Sequence, residues 1–409
     1  MGVLRALAIT QLFPNAVEPL FSPFNRQQFS ALSKLCDLSV IAPVPWFPAA
    51  GAIAGGTRAG RLADLPKRGR VDDLDVANPR FLHVPKVGHW FSGPLYAAGL
   101  LPHVRKYRGK VDVVLGAWAY PDGWAAIALA KLLGVPAVIK LHGSDINVVA
   151  KMRGPRMWLR SLLPSAERVI AVSRRLGQEA VALGVDEQRV EVVFNGVDQS
   201  RFSPGDRGAA RAALGVAKER RQILFVGNLL KSKGVADLLA AFENIAAKDE
   251  LLDLALVGDG PQRAACEQLA ARMPGRVRVA GAVPLSQVAQ WMTACDVLSL
   301  PSWNEGTPNV VLEALSAGRR VVASDVGGIP DLLCTPELGE MVAARDRTQL
   351  AGALARAAGQ KYDPAEVARL GGRGDWQQSA RDLYAVLARA AAHPVSFEEP
   401  NLGQTAKSA

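Results

Sequence analysis

Short apolar runs recur along the chain, each closed by a glycine, a proline or a polar loop and followed by a segment of helical period. In the first half they fall at 3–9, 38–42, 81–84, 111–116, 137–141 and 167–172. In the second half they fall at 221–226, 254–257, 277–283, 297–300 and 321–323. Continuous apolar runs without strict alternation suit parallel strands covered on both faces, and the helices between them supply the cover. Two such series predict an α/β fold of two doubly wound, Rossmann-like domains. Phe29, Leu32 and Leu35 suit one face of a helix that begins near Pro23 or Phe24. Residues 43–80, rich in Pro, Gly, Ala and Arg, show no clear period and are expected to form a mobile insertion. The polar tail over 393–409 is expected to be disordered.

The most informative stretch is 296–333, DVLSLPSWNEGTPNVVLEALSAGRRVVASDVGGIPDLL. A buried strand ends at Pro301, and after a polar loop Thr307 and Pro308 are expected as N-cap and first residue of a helix. Val311, Ala314 and Leu315 keep helical spacing, and Gly318 marks the stop. A second strand then enters a loop with Gly327, Gly328 and Pro330. Two carboxylates, Glu305 and Glu313, bracket the helix N-terminus, whose N–H groups and dipole favour an anion. At about 1.5 Å rise per residue, Pro308 to Glu313 covers roughly 7–8 Å. A diphosphate at the helix start would have a carboxylate near each end, suited to flanking hydroxyl groups. Ribose, diphosphate and hexose follow in that order in a nucleotide sugar. Two solvated glutamates on a surface helix remain the alternative for the pair considered alone.

Composition narrows the class. The 409 residues are 49% hydrophobic and 21% charged, ordinary for a globular protein. No apolar run is long enough to span a bilayer, and the opening MGVLRALAIT reads as a first strand and not a signal peptide. Cys36, Cys266, Cys295 and Cys334 lack metal or redox spacing, as expected in a reducing cytoplasm. Residues 1–195 hold 24 Lys+Arg against 14 Asp+Glu, and so carry the whole net charge of +10. That asymmetry favours contact with an anionic membrane or a phosphorylated substrate, with simple solubility as the alternative. Nucleic acid is not expected, because no basic helix or aromatic RNA-binding motif is present. Asp73-Leu74-Asp75 is read as a solvated acidic loop and not a metal site. Trp90, Phe91 and Tyr96 are read as a partly exposed aromatic segment facing lipid or acceptor. GDGP at 258–261 is not a dinucleotide fingerprint, which argues against an NAD enzyme.

Glu305-Gly306-Thr307-Pro308 through Glu313-Ala314, with Ala317-Gly318 and Val326-Gly327-Gly328, resembles the E-x7-E signature of glycosyltransferase family 4, retaining enzymes of GT-B fold. The resemblance implies two domains facing a central cleft, 1–200 on the acceptor side and 201–375 binding the donor. It also implies a last helix (376–392) packed back on the first. Glu305 would orient the hexose hydroxyls and Glu313 would bind the ribose. Gly306, Thr307, Pro308 and Asn309 would shape the phosphate site, and Val283 would meet the base. Lys233-Gly234 matches the family's phosphate-binding lysine, while Asn228 stands where an arginine is usual and lacks its charge and fork. His142-Gly143-Ser144-Asp145 resembles the active-site histidine loop. Ser22 and Phe24 fall in the acceptor-side loop, Ser22 where a glycine is usual.

The activity implied is transfer of a hexose from a nucleotide diphosphate sugar to a glycan or lipid-linked glycan. It would serve surface polysaccharide synthesis, without cofactor or metal, in the cytoplasm or at the inner membrane face. A nucleotide-sugar 2-epimerase and a non-catalytic sugar-nucleotide-binding paralogue are the alternatives.

Overall fold

The computed structural model describes residues 2–19, 21–48, 57–83 and 90–394. The chain forms two compact units, Met1–Asn195 together with the chain from Trp376, and Gly196–Asp375.

The first unit is built on an eight-stranded sheet. Its strands are β1 (Arg5–Ile9), β2 (Asp37–Ile41), β4 (Arg68–Val71), β5 (Leu74–Ala77), β7 (Val113–Ala117), β8 (Ala137–Leu141), β9 (Arg168–Ala171) and β10 (Val190–Val192). Their order is β10-β9-β8-β7-β1-β2-β5-β4. All pairs are parallel except β4 with β5. A separate pair joins β3 (Val44–Trp46) to β6 (Arg80–Leu82). Every residue of β7 and β8 is buried, as expected of strands with helices on both faces.

Two expectations change here. The segment 43–80 is not simply an irregular insertion, because β4 and β5 extend the main sheet. Leu74 and Val76 are buried and alternate with exposed Asp75, a period of two typical of a half-covered edge. The hairpin reverses at Asp72 (φ 53), whose carboxylate accepts from Arg26 at 2.6 Å and Ser30 at 2.9 Å. Residues 49–56 of that segment lie outside the described residues, as does Val84 of the expected strand at 81–84. Tyr96 is buried in the core, packed on Phe81, because it faces inward from the helix Ser92–Val104; only Trp90 and Phe91 are exposed.

The helix Trp376–Ala390 packs on the first unit, where Leu383, Tyr384 and Leu387 join a core with Phe13 and Phe29. Beneath it, Lys140 Nζ donates to Gln28 Oε1 and, at 3.3 Å, to Asn195 Oδ1, while Gln28 Nε2 donates to Ser379 Oγ at 2.8 Å. Held by amide oxygens alone among the hydrogen bonds of the described residues, Lys140 is pushed down to about 7 by burial. Of the tail, His393 is in place, its Nε2 lying 2.7 Å from the Gly2 carbonyl oxygen. Disorder was expected from there onward, but 395–409 lie outside the described residues.

The second unit holds six parallel strands: β11 (Arg221–Val226), β12 (Leu252–Val257), β13 (Val277–Gly281), β14 (Val297–Leu300), β15 (Arg320–Ser324) and β16 (Gly339–Val342). Their order is β13-β12-β11-β14-β15-β16. The order reverses between β11 and β14. Open α/β sheets bind ligands beyond the strand ends at such a reversal.

Candidate active site

Two loops leave the sheet at that reversal, 227–234 after β11 and 301–308 after β14. Gly234 holds them together. Its φ of 72 is open to glycine, and a Cβ there would lie 1.9 Å from the Pro301 carbonyl oxygen. The Trp303 N–H adds a bond to the Ser232 carbonyl at 2.8 Å. This close packing delivers Lys233 Nζ to Glu305 Oε1 at 2.7 Å, and Ser302 Oγ donates to the same oxygen at 2.6 Å. Glu305 is buried at 8% side-chain exposure, while Lys233 keeps 29%. On the other side, Gly327 (φ 57) packs so tightly that a Cβ would lie 2.1 Å from the Glu305 carbonyl oxygen. Gly328 N–H donates to Gly306 O at 2.6 Å. Glu305 is therefore fixed from both flanks.

The helix after this loop runs Asn309–Ser316, one residue later than expected. Pro308 is its N-cap, with extended backbone (φ −75, ψ 113), and its carbonyl accepts from Val311 N–H at 3.0 Å. Thr307 is buried one residue before it and does not cap the helix. The first-turn N–H groups of such a helix point outward at an anion. Glu313, half-buried in the middle of the helix, is pushed up to about 7 by burial, against the attraction of Arg201.

Asn228 is exposed in the β11 loop, where its carbonyl accepts from Leu230 N–H at 2.7 Å. Val283 is half-buried beyond the end of edge strand β13, two strands from β11. Trp303 brings in Asp237 and Arg345, which the sequence reading missed. Its indole N–H donates to Asp237 at 2.8 Å, and the Arg345 guanidinium lies 4.2 Å from the ring centroid. Lys231 lies 5.8 Å from the same ring.

In the first unit, β8 delivers His142 past its carboxyl end. The ring lies between Phe24, centroids 4.9 Å apart, and Trp118 at 6.3 Å. Burial, reinforced by the charge of Lys140, holds the imidazole well below its usual range and hence neutral near pH 7. Its Nε2 is shielded from solvent and has no hydrogen-bond partner among the described residues. Asp145 does not present its carboxylate outward. It accepts the N–H groups of Gly143 at 2.7 Å, Ala119 at 3.0 Å, Ile146 at 3.1 Å and His142 at 3.2 Å, and so builds the histidine loop. Gly143 takes φ 123 within it. Ser22 caps the helix Pro23–Leu32 from a left-handed conformation (φ 50), without a side-chain cap bond, a conformation that glycine adopts without steric cost. In the triplet at 73–75, Asp73 faces solvent 3.6 Å from Arg70, while Leu74 and Asp75 belong to strand β5 and not to a loop. Among the described residues no group of three or more His, Cys, Asp or Glu gathers as a metal site.

Residues 21–201 match the family described as Glycosyltransferase Family 4, and residues 220–360 that described as Glycosyl transferases group 1. The chain is 31% identical to the putative teichuronic acid biosynthesis glycosyltransferase TuaC of Bacillus subtilis over 336 residues, 80% of this chain and 83% of the relative. It is 33% identical to the D-inositol 3-phosphate glycosyltransferase of Frankia alni, over 67% of this chain and 73% of that one. The solved structure of Anabaena HepE in complex with UDP matches with TM-score 0.70 and 18% identity, over 94% of this chain and 100% of that one. Sucrose-phosphate synthase from Thermosynechococcus elongatus matches at 0.67 and 20% identity, over 95% and 98%. Fold and relatives together define a glycosyltransferase of GT-B architecture. Within that class, the chain belongs to the family 4 glycosyltransferases.

Proposed function

We propose that the chain moves a hexose from a nucleotide diphosphate sugar, with retention and without a metal, to a glycan or lipid-linked glycan in surface polysaccharide synthesis. The observation that carries this reading is the Lys233–Glu305 pair at the strand-order reversal, ahead of a helix N-terminus and Glu313. Lys233 and the first helical turn meet the diphosphate, Glu313 accepts from the ribose hydroxyls, and Glu305 accepts from hexose hydroxyls. Val283 borders the base. Neutral His142 contacts the transferred sugar. Ser22 and Phe24 lie toward the acceptor. The acceptor oxygen bonds to the anomeric carbon on the face that the phosphate oxygen vacates, and its proton passes to that leaving oxygen. The protein orients both partners and stabilises the charge on the leaving group. The description of TuaC supports a surface-glycan role, and the UDP and UDP-glucose held by HepE support the donor class. The membrane contact of this reading belongs to the basic first unit.

Asn228 favours a second reading, a sugar-nucleotide-binding protein without turnover. Incubation with a panel of labelled nucleotide sugars separates the readings. Slow donor hydrolysis or transfer is expected. Epimer formation would indicate a 2-epimerase, and binding without turnover a sensor. Glu305→Ala is expected to abolish turnover and Lys233→Ala to weaken nucleotide binding; near wild-type behaviour in both would sink the site assignment.

A further inference from the structure

The helix Arg153–Leu162 is strongly two-faced. Gly154, Pro155 and Leu159 are buried, whereas Arg153, Arg156, Met157 and Arg160 are exposed at positions that share one face of a helix. Between Asp145 and Glu167 the chain carries four basic residues, Lys151 and these three arginines, and no acidic one. Both bordering carboxylates are occupied, Asp145 by backbone N–H groups and Glu167 by Arg168. Trp90 adjoins the start of this helix. Its ring leaves only 3.0 Å to a Cβ built at Gly154, and Trp158 donates its indole N–H to the Trp90 carbonyl. Trp90 is 47% exposed, Phe91 63% and Met157 53%. Large apolar side chains this exposed, interleaved with arginines that form no ion pair among the described residues, do not suit a purely aqueous surface.

We propose that this face, the helix Arg153–Leu162 with Trp90 and Phe91, docks the protein on an anionic lipid bilayer. The arginines meet lipid phosphates while Phe91, Met157 and the Trp90 indole enter the interfacial layer, where amphipathic helices and aromatic rings are stabilised. No helix among the described residues is long and apolar enough to cross a membrane, so the contact is peripheral. The inference deepens the membrane contact in the reading above but is independent of the transfer chemistry.

The test is co-sedimentation of the full chain with vesicles of phosphatidylcholine alone or with added phosphatidylglycerol, with donor turnover measured on the same preparations. The wild type is expected to bind only the phosphatidylglycerol vesicles, and less at high salt. At roughly fivefold in partitioning per basic residue near an anionic surface, Arg153→Gln/Arg156→Gln/Arg160→Gln lowers binding about a hundredfold. Turnover on soluble substrates is expected to stay unchanged, which also shows that the variant folds. Absence of wild-type binding, equal binding to both vesicle types, or a triple variant that binds like the wild type would each overturn the proposal. Loss of turnover in the wild type would count against the transferase reading alone.

Discussion

Removing the ammonium at position 233 probes the candidate site most directly. Lys233→Met keeps most of the apolar stem but removes the ammonium that donates to the Glu305 carboxylate, while the Ser302 hydroxyl still donates to it. Exposed ion pairs contribute about 0–1 kcal/mol, and truncating one partner of a fully buried pair costs about 3–5 kcal/mol. This pair lies between the limits, with 8% exposure on one side and 29% on the other. A loss of about 2 kcal/mol is therefore expected, or a fall of roughly 4–8 °C in the melting temperature of a unit this size. Glu305→Gln removes the charge that needs compensation, so Lys233→Met/Glu305→Gln should recover most of the loss, a coupling of about 1–1.5 kcal/mol. Calorimetry of the four proteins measures it, and titration with nucleoside diphosphate adds a functional reading. Lys233→Met should weaken binding at least about tenfold, as expected when a charged hydrogen bond is lost. The reasoning is refuted if the single variant melts within about 1 °C of wild type, or if the double variant is no more stable than Lys233→Met.

Three further outcomes follow from the same geometry. Gly234→Ala places a methyl 1.9 Å from the Pro301 carbonyl oxygen at a positive φ; a loss of about 2 kcal/mol or more is expected by denaturant titration, with weaker nucleotide binding because Lys233 moves. Glu313, pushed up to about 7, is neutral below that pH and ionised above it. Ribose hydroxyls donate best to the ionised form, so nucleotide affinity should rise with pH through about 7, and Glu313→Gln should flatten the calorimetric profile. The same raised value means folding stability declines as pH climbs from the ordinary glutamate range to about 7. Ser22→Gly relieves a left-handed serine without a cap bond and should stabilise the first unit by up to about 1 kcal/mol in thermal melts; a destabilised variant would show that the hydroxyl has another role.

Most of the architecture is legible because parallel strands covered on both faces leave uninterrupted apolar runs, as 254–257 does in β12. The β4–β5 hairpin is not, because an edge strand alternates and its alternation is lost among the arginines and glycines around it. Tyr96 reads as exposed when taken with Trp90 and Phe91, since a helix beginning at Ser92 turns it inward only once its axis is known. Glu305 and Lys233 are legible as motif members, but their bond is not: they are 72 residues apart and meet through the contact of Gly234 with Pro301. Trp118, Ser302 and Trp303 each follow the end of a buried strand, and that position is the signal that would have singled them out.

The returning helix Trp376–Ala390 has a consequence for synthesis. The chain enters the second unit at Gly196 and leaves it at Asp375, so that unit is complete in the nascent chain before the first has its last piece. Until Leu383, Tyr384 and Leu387 emerge from the ribosome, the Phe13–Phe29 core lies open and Gln28 lacks its serine partner. The domain synthesised first is thus the last to close, and a chain cut short after Asp375 would carry a finished second unit tethered to an unfinished first.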